Sequence, residues 1–174
     1  MTRTELARAI VHRATLHGTF TLRSGAVSNV YFDKYLLEAD PALLREITLQ
    51  MAPLVPEGVD ALAGLEMGGI PLATLLSQHT GLPTLFVRKE AKAYGTCKIA
   101  EGGEVKGRRL LLVEDVVTRG GAILDAAKEL RAQGAILVGV LCVINRESGG
   151  VENLKAADLN LKPLFCRSEL EAAK

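Results

Sequence analysis

The residues best suited to chemistry run in one unbroken stretch, Val113-Glu114-Asp115-Val116-Val117-Thr118-Arg119-Gly120-Gly121-Ala122. An apolar run ends there in two adjacent carboxylates, and a Thr/Gly turn then opens an amphipathic segment that stops at Gly134. Carboxylates accept hydrogen bonds from vicinal hydroxyls. Glycine-permitted backbone N–H groups at a helix start hold a phosphate. The order of parts therefore suits a phosphorylated sugar. A Walker-type loop would end in Gly-Lys-Ser/Thr, and a dinucleotide fingerprint would place glycines directly after the strand. Neither pattern is here. The bland alternative is an ordinary strand-to-helix connection whose acids are merely solvated at the sheet edge.

A second stretch, Val87-Arg88-Lys89-Glu90-Ala91-Lys92-Ala93-Tyr94-Gly95-Thr96, concentrates cations, with Lys98 and three more glycines following by Gly107. Taken alone, such a run is a solvated face. Beside a phosphate turn it suits a glycine-hinged lid that brings charge to a diphosphate leaving group and shuts out water.

These residues need a frame. Residues 2–17 have helical spacing, with Gly18 as a stop, and short extended pieces at 20–22 and 30–33 flank a turn at Ser24-Gly25. Asp40-Pro41 opens a helix to about Met51, cap followed by proline. Residues 60–65 form a buried strand ending at Glu66-Met67-Gly68-Gly69, and a helix follows to Gly81. Strands are expected at 85–87, 110–113, 136–144 and 161–165, with a last helical turn in the tail. Apolar strands alternating with helices indicate a parallel sheet covered on both faces, in one α/β domain with an N-terminal appendage. Ligands of such sheets sit beyond the carboxyl ends of the strands. Four of these ends carry polar or glycine-rich residues: Glu66 to Gly69, Arg88-Lys89, Glu114-Asp115 and Asn145-Arg146.

Bulk properties narrow the class. At 174 residues the chain can bury a real core in one domain, and 48% hydrophobic with 24% charged residues is ordinary for a globular chain. A net charge of +1 gives no pull toward nucleic acid or anionic membrane, and 4% aromatics without Trp argue against a base-stacking platform. Cys97, Cys142 and Cys166 are widely spaced and form no Cys-x-x-Cys pair, against disulfides or zinc. Cys142 lies in an apolar run and reads as core. No secretory h-region or membrane-length apolar run is found, so a cytoplasmic protein is expected. His12, His17 and His79 are isolated and receive no role.

The acid-plus-Thr/Gly turn resembles the signature of the type I phosphoribosyltransferases, with Arg119 where that family usually has a small residue. Arg88-Lys89-Glu90-Ala91-Lys92 with its glycine-rich continuation is similar to the loop of the orotate phosphoribosyltransferases. Leu22-Arg23-Ser24-Gly25-Ala26-Val27-Ser28-Asn29-Val30-Tyr31-Phe32-Asp33 and Val143-Ile144-Asn145-Arg146-Glu147 match two further motifs of that family.

The resemblance implies a central, mainly parallel sheet flanked by helices, with residues 1–35 and the tail forming a small hood within a single domain, 1–174. It implies transfer of the phosphoribosyl group from 5-phosphoribosyl 1-diphosphate to orotate, giving orotidine 5′-monophosphate and pyrophosphate. Lys92 would contact the departing pyrophosphate, in a neighbouring subunit's site of a homodimer. Arg88 and Lys89 would bind the diphosphate, with Tyr94 in the place of a loop histidine. Glu114 and Asp115 would engage the ribose hydroxyls and, indirectly, Mg²⁺, which arrives with the diphosphate and has no direct protein ligand. Residues Val116, Val117, Thr118, Arg119, Gly120, Gly121 and Ala122 would hold the 5′-phosphate. Arg146 would pair with orotate's carboxylate, a task for guanidinium's bidentate fork, and Thr118 would touch the pyrimidine.

Two departures stand out: lysines that many relatives carry fall here at Ala26 or Val27 and at Gly68. The N–H groups of Gly68 and Gly69 could substitute. A phosphoribosyltransferase for another base, or a non-catalytic nucleotide- or RNA-binding regulator, are the rival readings.

Overall fold

The computed structural model describes residues 1–21, 25–90 and 98–173. Its centre is a six-stranded sheet of β3 (Ala61–Leu65), β4 (Thr84–Val87), β5 (Ala100–Glu101), β6 (Arg109–Val117), β7 (Ile136–Asn145) and β8 (Leu161–Cys166). The order is β5-β4-β3-β6-β7-β8, all neighbours parallel except β5, which runs antiparallel to β4 at the edge. Both β4 and β6 flank β3, so the strand order reverses there. Such a reversal opens a crevice at the carboxyl ends of β3 and β6.

Strand β6 shows why the sheet is covered twice. Successive side chains point to opposite faces. Leu111 and Val113 enter a core with α3 (Pro41–Met51) and α4 (Gly69–Thr80), alongside Ile47, Leu72 and Leu76. Leu110 and Leu112 enter another with α5 (Gly121–Ala132) and α6 (Gly150–Lys155), alongside Ile123, Leu130 and Leu154. Asp40 caps α3 as its sequence predicts, accepting from the N–H groups of Ala42 and Leu43 at 3.1 Å each, with Pro41 in the first turn.

The N-terminal segment differs from its expected form. Helix α1 is Arg3–Ala14, not 2–17, because Thr15–Thr21 (β1) leaves it to pair antiparallel with Val27–Phe32 (β2). Asp33 N–H donates to Ala14 O at 2.8 Å and closes the hairpin's base. Leu6 and Ile10 are fully buried, each worth roughly 1.5–3 kcal/mol, and they seat α1 on the core. Arg3 ties its start to the chain's other end, donating to Leu164 O at 2.5 Å and to Glu169 in α7 (Arg167–Ala172) at 2.7 Å. The four-residue α2 (Tyr35–Glu38) joins the hairpin to α3.

Candidate functional site

Strand β6 carries the acids differently from the sequence expectation. The apolar run does not end at Val113; ladder pairing continues through Val116 to Ile144 and Val117 to Asn145. Glu114 and Asp115 therefore stand on a strand, at 8% and 3% exposure, rather than in a solvated turn. Each bends back onto the backbone: Asp115 N–H donates to Glu114 Oε1 at 2.9 Å, and Val116 N–H to Asp115 Oδ1 at 2.5 Å.

Two residues that sequence reasoning passed over complete this cluster. Lys34 Nζ lies 2.7 Å from Asp115 Oδ2, and Glu38 approaches the same carboxylate from α2. Burial, then a hydrogen bond to Asp115 and its charge, push Glu38 up to about 8 and Glu114 up to about 9. Burial also raises Asp115, but hydrogen bonds from Glu114, Lys34 and Glu38 outweigh it and hold this carboxyl below the usual aspartate range. The cluster thus favours its negative charge on Asp115, with the two glutamates drawn toward their protonated forms and one ammonium beside it.

Opposite lies the β3–α4 connection, residues 66–69. It can approach only because two of its residues lack side chains. A Cβ at Gly68 would land on Asp115 Oδ2, with Glu38 Oε1 at 2.9 Å; one at Gly69 would land on Val113 O. Glu66 Oε2 accepts from Lys89 N–H at 2.9 Å and ties this connection to the end of β4.

The Thr/Gly turn is as open as its sequence implies. Thr118, Arg119, Gly121 and Ala122 are exposed. Gly120 turns the chain into α5 at φ 78°, and no side chain caps the helix. The first intrahelical bond runs from Leu124 N–H to Gly120 O, so the N–H groups of Gly121, Ala122 and Ile123 stay available to an anion, and the helix dipole favours one. The turn is braced from behind by α6, a helix too short to be read from sequence. Asn153 Nδ2 donates to Arg119 O at 2.9 Å, and Leu154 packs under Gly120.

A cleft of about 820 Å³ joins Gly121 and Ala122 to Glu66, Arg88 and Lys89. Arg88 is held at its rim by its N–H bond to Ile99 O, 2.8 Å. A smaller cavity of about 350 Å³ lies between the hairpin, the end of β7 and α7, lined by Ser28, Phe32, Ile144 and Arg146. Arg146 is brought beside β6 by donating its N–H to Val117 O at 2.8 Å. Of the expected site residues, Lys92 and Tyr94 lie outside the described residues, as does Cys97. Cys142 is core as expected, and His79 is bound to Thr48 Oγ1 at 3.1 Å.

The arrangement offers a phosphate turn, an anionic hydroxyl acceptor, cations on one side and a guanidinium-lined cavity on the other. Comparison with known proteins identifies the family. The family model described as phosphoribosyl transferase domain matches residues 37–162. An orotate phosphoribosyltransferase of a Nocardioides species is 52% identical, over 91% of this chain and 89% of that protein. Another, of Pyrococcus horikoshii, is 42% identical over 95% and 91%. The solved Mycobacterium tuberculosis orotate phosphoribosyltransferase in complex with inorganic phosphate has a TM-score of 0.86 at 29% identity, covering 97% of this chain and 98% of that one. The complex of that enzyme with 5-phospho-alpha-D-ribosyl 1-diphosphate scores 0.83 at 28%, with the same coverage.

Proposed function

Since the chain belongs to the orotate phosphoribosyltransferases of the phosphoribosyl transferase domain family, we propose that it moves the phosphoribosyl group of 5-phosphoribosyl 1-diphosphate onto orotate. The bond from ribose C1 to the diphosphate oxygen breaks, its electrons leaving with pyrophosphate. A bond from orotate N1 to C1 forms, giving orotidine 5′-monophosphate for pyrimidine synthesis. Orotate's ring nitrogen is readily anionic, so no strong base is needed. Positioning and stabilisation of the oxocarbenium-like transition state then carry the rate.

One observation supports this most: the uncapped α5 turn stands next to the buried Asp115, with Arg146 at the adjoining strand end over its own cavity. In this reading the 5′-phosphate rests on the segment of residues 116–122. Its donors come from the Thr118–Ala122 end, because Val116 N–H is spent on Asp115. Asp115 and Glu114 take the ribose hydroxyls. Arg88, Lys89 and Lys92, with Tyr94, meet the diphosphate. Arg146 grips orotate's carboxylate, and Thr118 touches the pyrimidine.

Residues 1–35 and the tail act as a hood within one domain, and Lys92 serves a neighbouring subunit's site in a homodimer of the cytoplasm. No helix among the described residues is long and apolar enough to cross a membrane.

Mg²⁺ suits these donors only at second hand. Glu114 and Asp115 are hard oxygen donors, but they are turned onto backbone amides and Lys34, so diphosphate oxygens and waters would be the ion's main ligands. Bound so, the ion would supply charge neutralisation for the leaving diphosphate.

The test is the ultraviolet absorbance loss of orotate with purified protein, 5-phosphoribosyl 1-diphosphate and Mg²⁺, against EDTA and no-enzyme controls. Magnesium-dependent loss at enzyme-like turnover is expected. No loss with folded protein and sound substrate overturns the assignment, and a screen of other bases would then identify the acceptor.

A further inference from the structure

The cation beside Asp115 belongs to no sequence motif described above. Lys34 is the N-cap residue of α2, and its aliphatic stem leads to an ammonium 2.7 Å from Asp115 Oδ2 and 5.1 Å from the Tyr35 ring centroid. Its side chain keeps 34% exposure while Asp115 keeps 4%, so the ammonium sits at the wet edge of a dry carboxylate. The opposite wall cannot supply a competing cation. Gly68 has no side chain, and the place of its Cβ is already filled by Asp115 Oδ2. Among the described residues, Lys34 is the one cation in contact with the Glu38, Glu114 and Asp115 cluster.

Asp115 Oδ2 is also the acceptor a ribose hydroxyl would take. A carboxylate oxygen serving a hydroxyl can release an ammonium, and an ammonium has three donors and no fixed fork, so it can change partners without reshaping its site. The displaced cation would leave the low-dielectric wall next to the strongest anion in the cleft.

We propose that Lys34 is a donor-binding residue that changes partners, held on Asp115 in the free protein and passed to the diphosphate oxygens when the ribose hydroxyls occupy Asp115. The inference rests on the phosphoribosyl transfer proposed above. It supplies the diphosphate with a cation that comes from α2 rather than from the β3–α4 connection.

The decisive comparison is between a ligand with the diphosphate and one without it. Calorimetric titration of 5-phosphoribosyl 1-diphosphate with Mg²⁺, and separately of ribose 5-phosphate, into wild type, Lys34→Ala and Lys34→Gln measures both. Lys34→Gln keeps a hydrogen bond to Asp115 without the charge, and it stands in if the alanine variant does not fold. The diphosphate ligand should weaken at least tenfold in both variants, while ribose 5-phosphate changes less than twofold. Lys34→Arg should restore most of the loss, and the orotate KM should stay within twofold.

Equal weakening of both ligands would overturn the proposal, because Lys34 would then only prop Asp115. Unchanged affinity for both would overturn it equally. If the split appears but no orotidine 5′-monophosphate is made, the choice of acceptor fails and the role of Lys34 stands.

Discussion

Gly69 gives the sharpest test of how the site is assembled. A methyl group there lands on Val113 O, with Val113 C at 3.1 Å and Gly64 C at 3.4 Å. All three are backbone atoms of β3 and β6, the two central strands of the sheet. None can swing aside, so Gly69→Ala must push the β3–α4 connection off β6 by roughly an ångström to regain van der Waals contact. Overpacking of this kind costs about 1–3 kcal/mol. For a domain of this size each kcal/mol shifts Tm by about 2–4 °C, so a drop of about 2–12 °C is expected.

Gly68→Ala is the internal contrast, because its methyl meets a carboxylate that can rotate. Its Tm should fall by less than that of Gly69→Ala. Turning Asp115 away from Lys34 and the ribose forfeits a charge-assisted hydrogen bond of about 1.5–3 kcal/mol, or about ten- to 150-fold in kcat/KM. Differential scanning calorimetry and the orotate absorbance assay read the two quantities. Wild-type melting of Gly69→Ala, or a larger melting loss in Gly68→Ala than in Gly69→Ala, would refute the reasoning.

Other outcomes follow from the same geometry. Arg146→Ala should raise the orotate KM by tenfold or more and leave the 5-phosphoribosyl 1-diphosphate KM nearly unchanged; an unchanged orotate KM would remove Arg146 from the acceptor site. Lys92→Ala should cut turnover severely at unchanged Tm, and wild-type turnover would end its assignment. Stability should decline with alkaline pH. The folded protein keeps protons on Glu38 and Glu114 up to about 8 and about 9, whereas the unfolded chain has released them above the ordinary glutamate value of 4.5. Their contribution is complete below 4.5 and is lost as pH rises through 8 and 9. Asp115, held low, contributes throughout that window. Glu114 gives a slope of at most about 1.4 kcal/mol per pH unit, and partly buried Glu38 acts over the narrower window that closes near 8. Thermal melts between pH 6 and 9 test this, and Glu114→Gln should flatten the curve.

Much of this site can be read from sequence because its parts are local. Strand, acids, turn and helix start follow one another from Arg109 to Ala132, and the Asp40-Pro41 cap sets the start of α3 to the residue. What sequence does not reveal depends on distant partners. Leu16 fits a helical stripe as well as a strand, and only pairing with Tyr31 decides for β1. Lys34 caps and Glu38 ends a four-residue helix with no periodicity to read, and their meaning comes from Asp115, far along the chain. Asn153 is one polar residue in a six-residue helix until it reaches Arg119 O. Val116 and Val117 read as a turn in sequence, yet they pair with β7 beyond the acids and so keep Glu114 and Asp115 on the strand.

The short antiparallel strand at the sheet edge has a consequence of polymer geometry. Phe86 pairs with Glu101 and Val87 with Ala100, and Arg88 N–H meets Ile99 O at 2.8 Å. Arg88 and Ile99 are therefore held side by side, so the residues between them begin and end at the same place. Lys92 follows Arg88 by four residues, so its Cα lies within on the order of 14 Å of the Arg88 Cα whatever path the chain takes. That radius and the length of its side chain bound where Lys92 can act. In the proposed homodimer, a second copy of the chain can use this lysine only if its cleft comes within that reach.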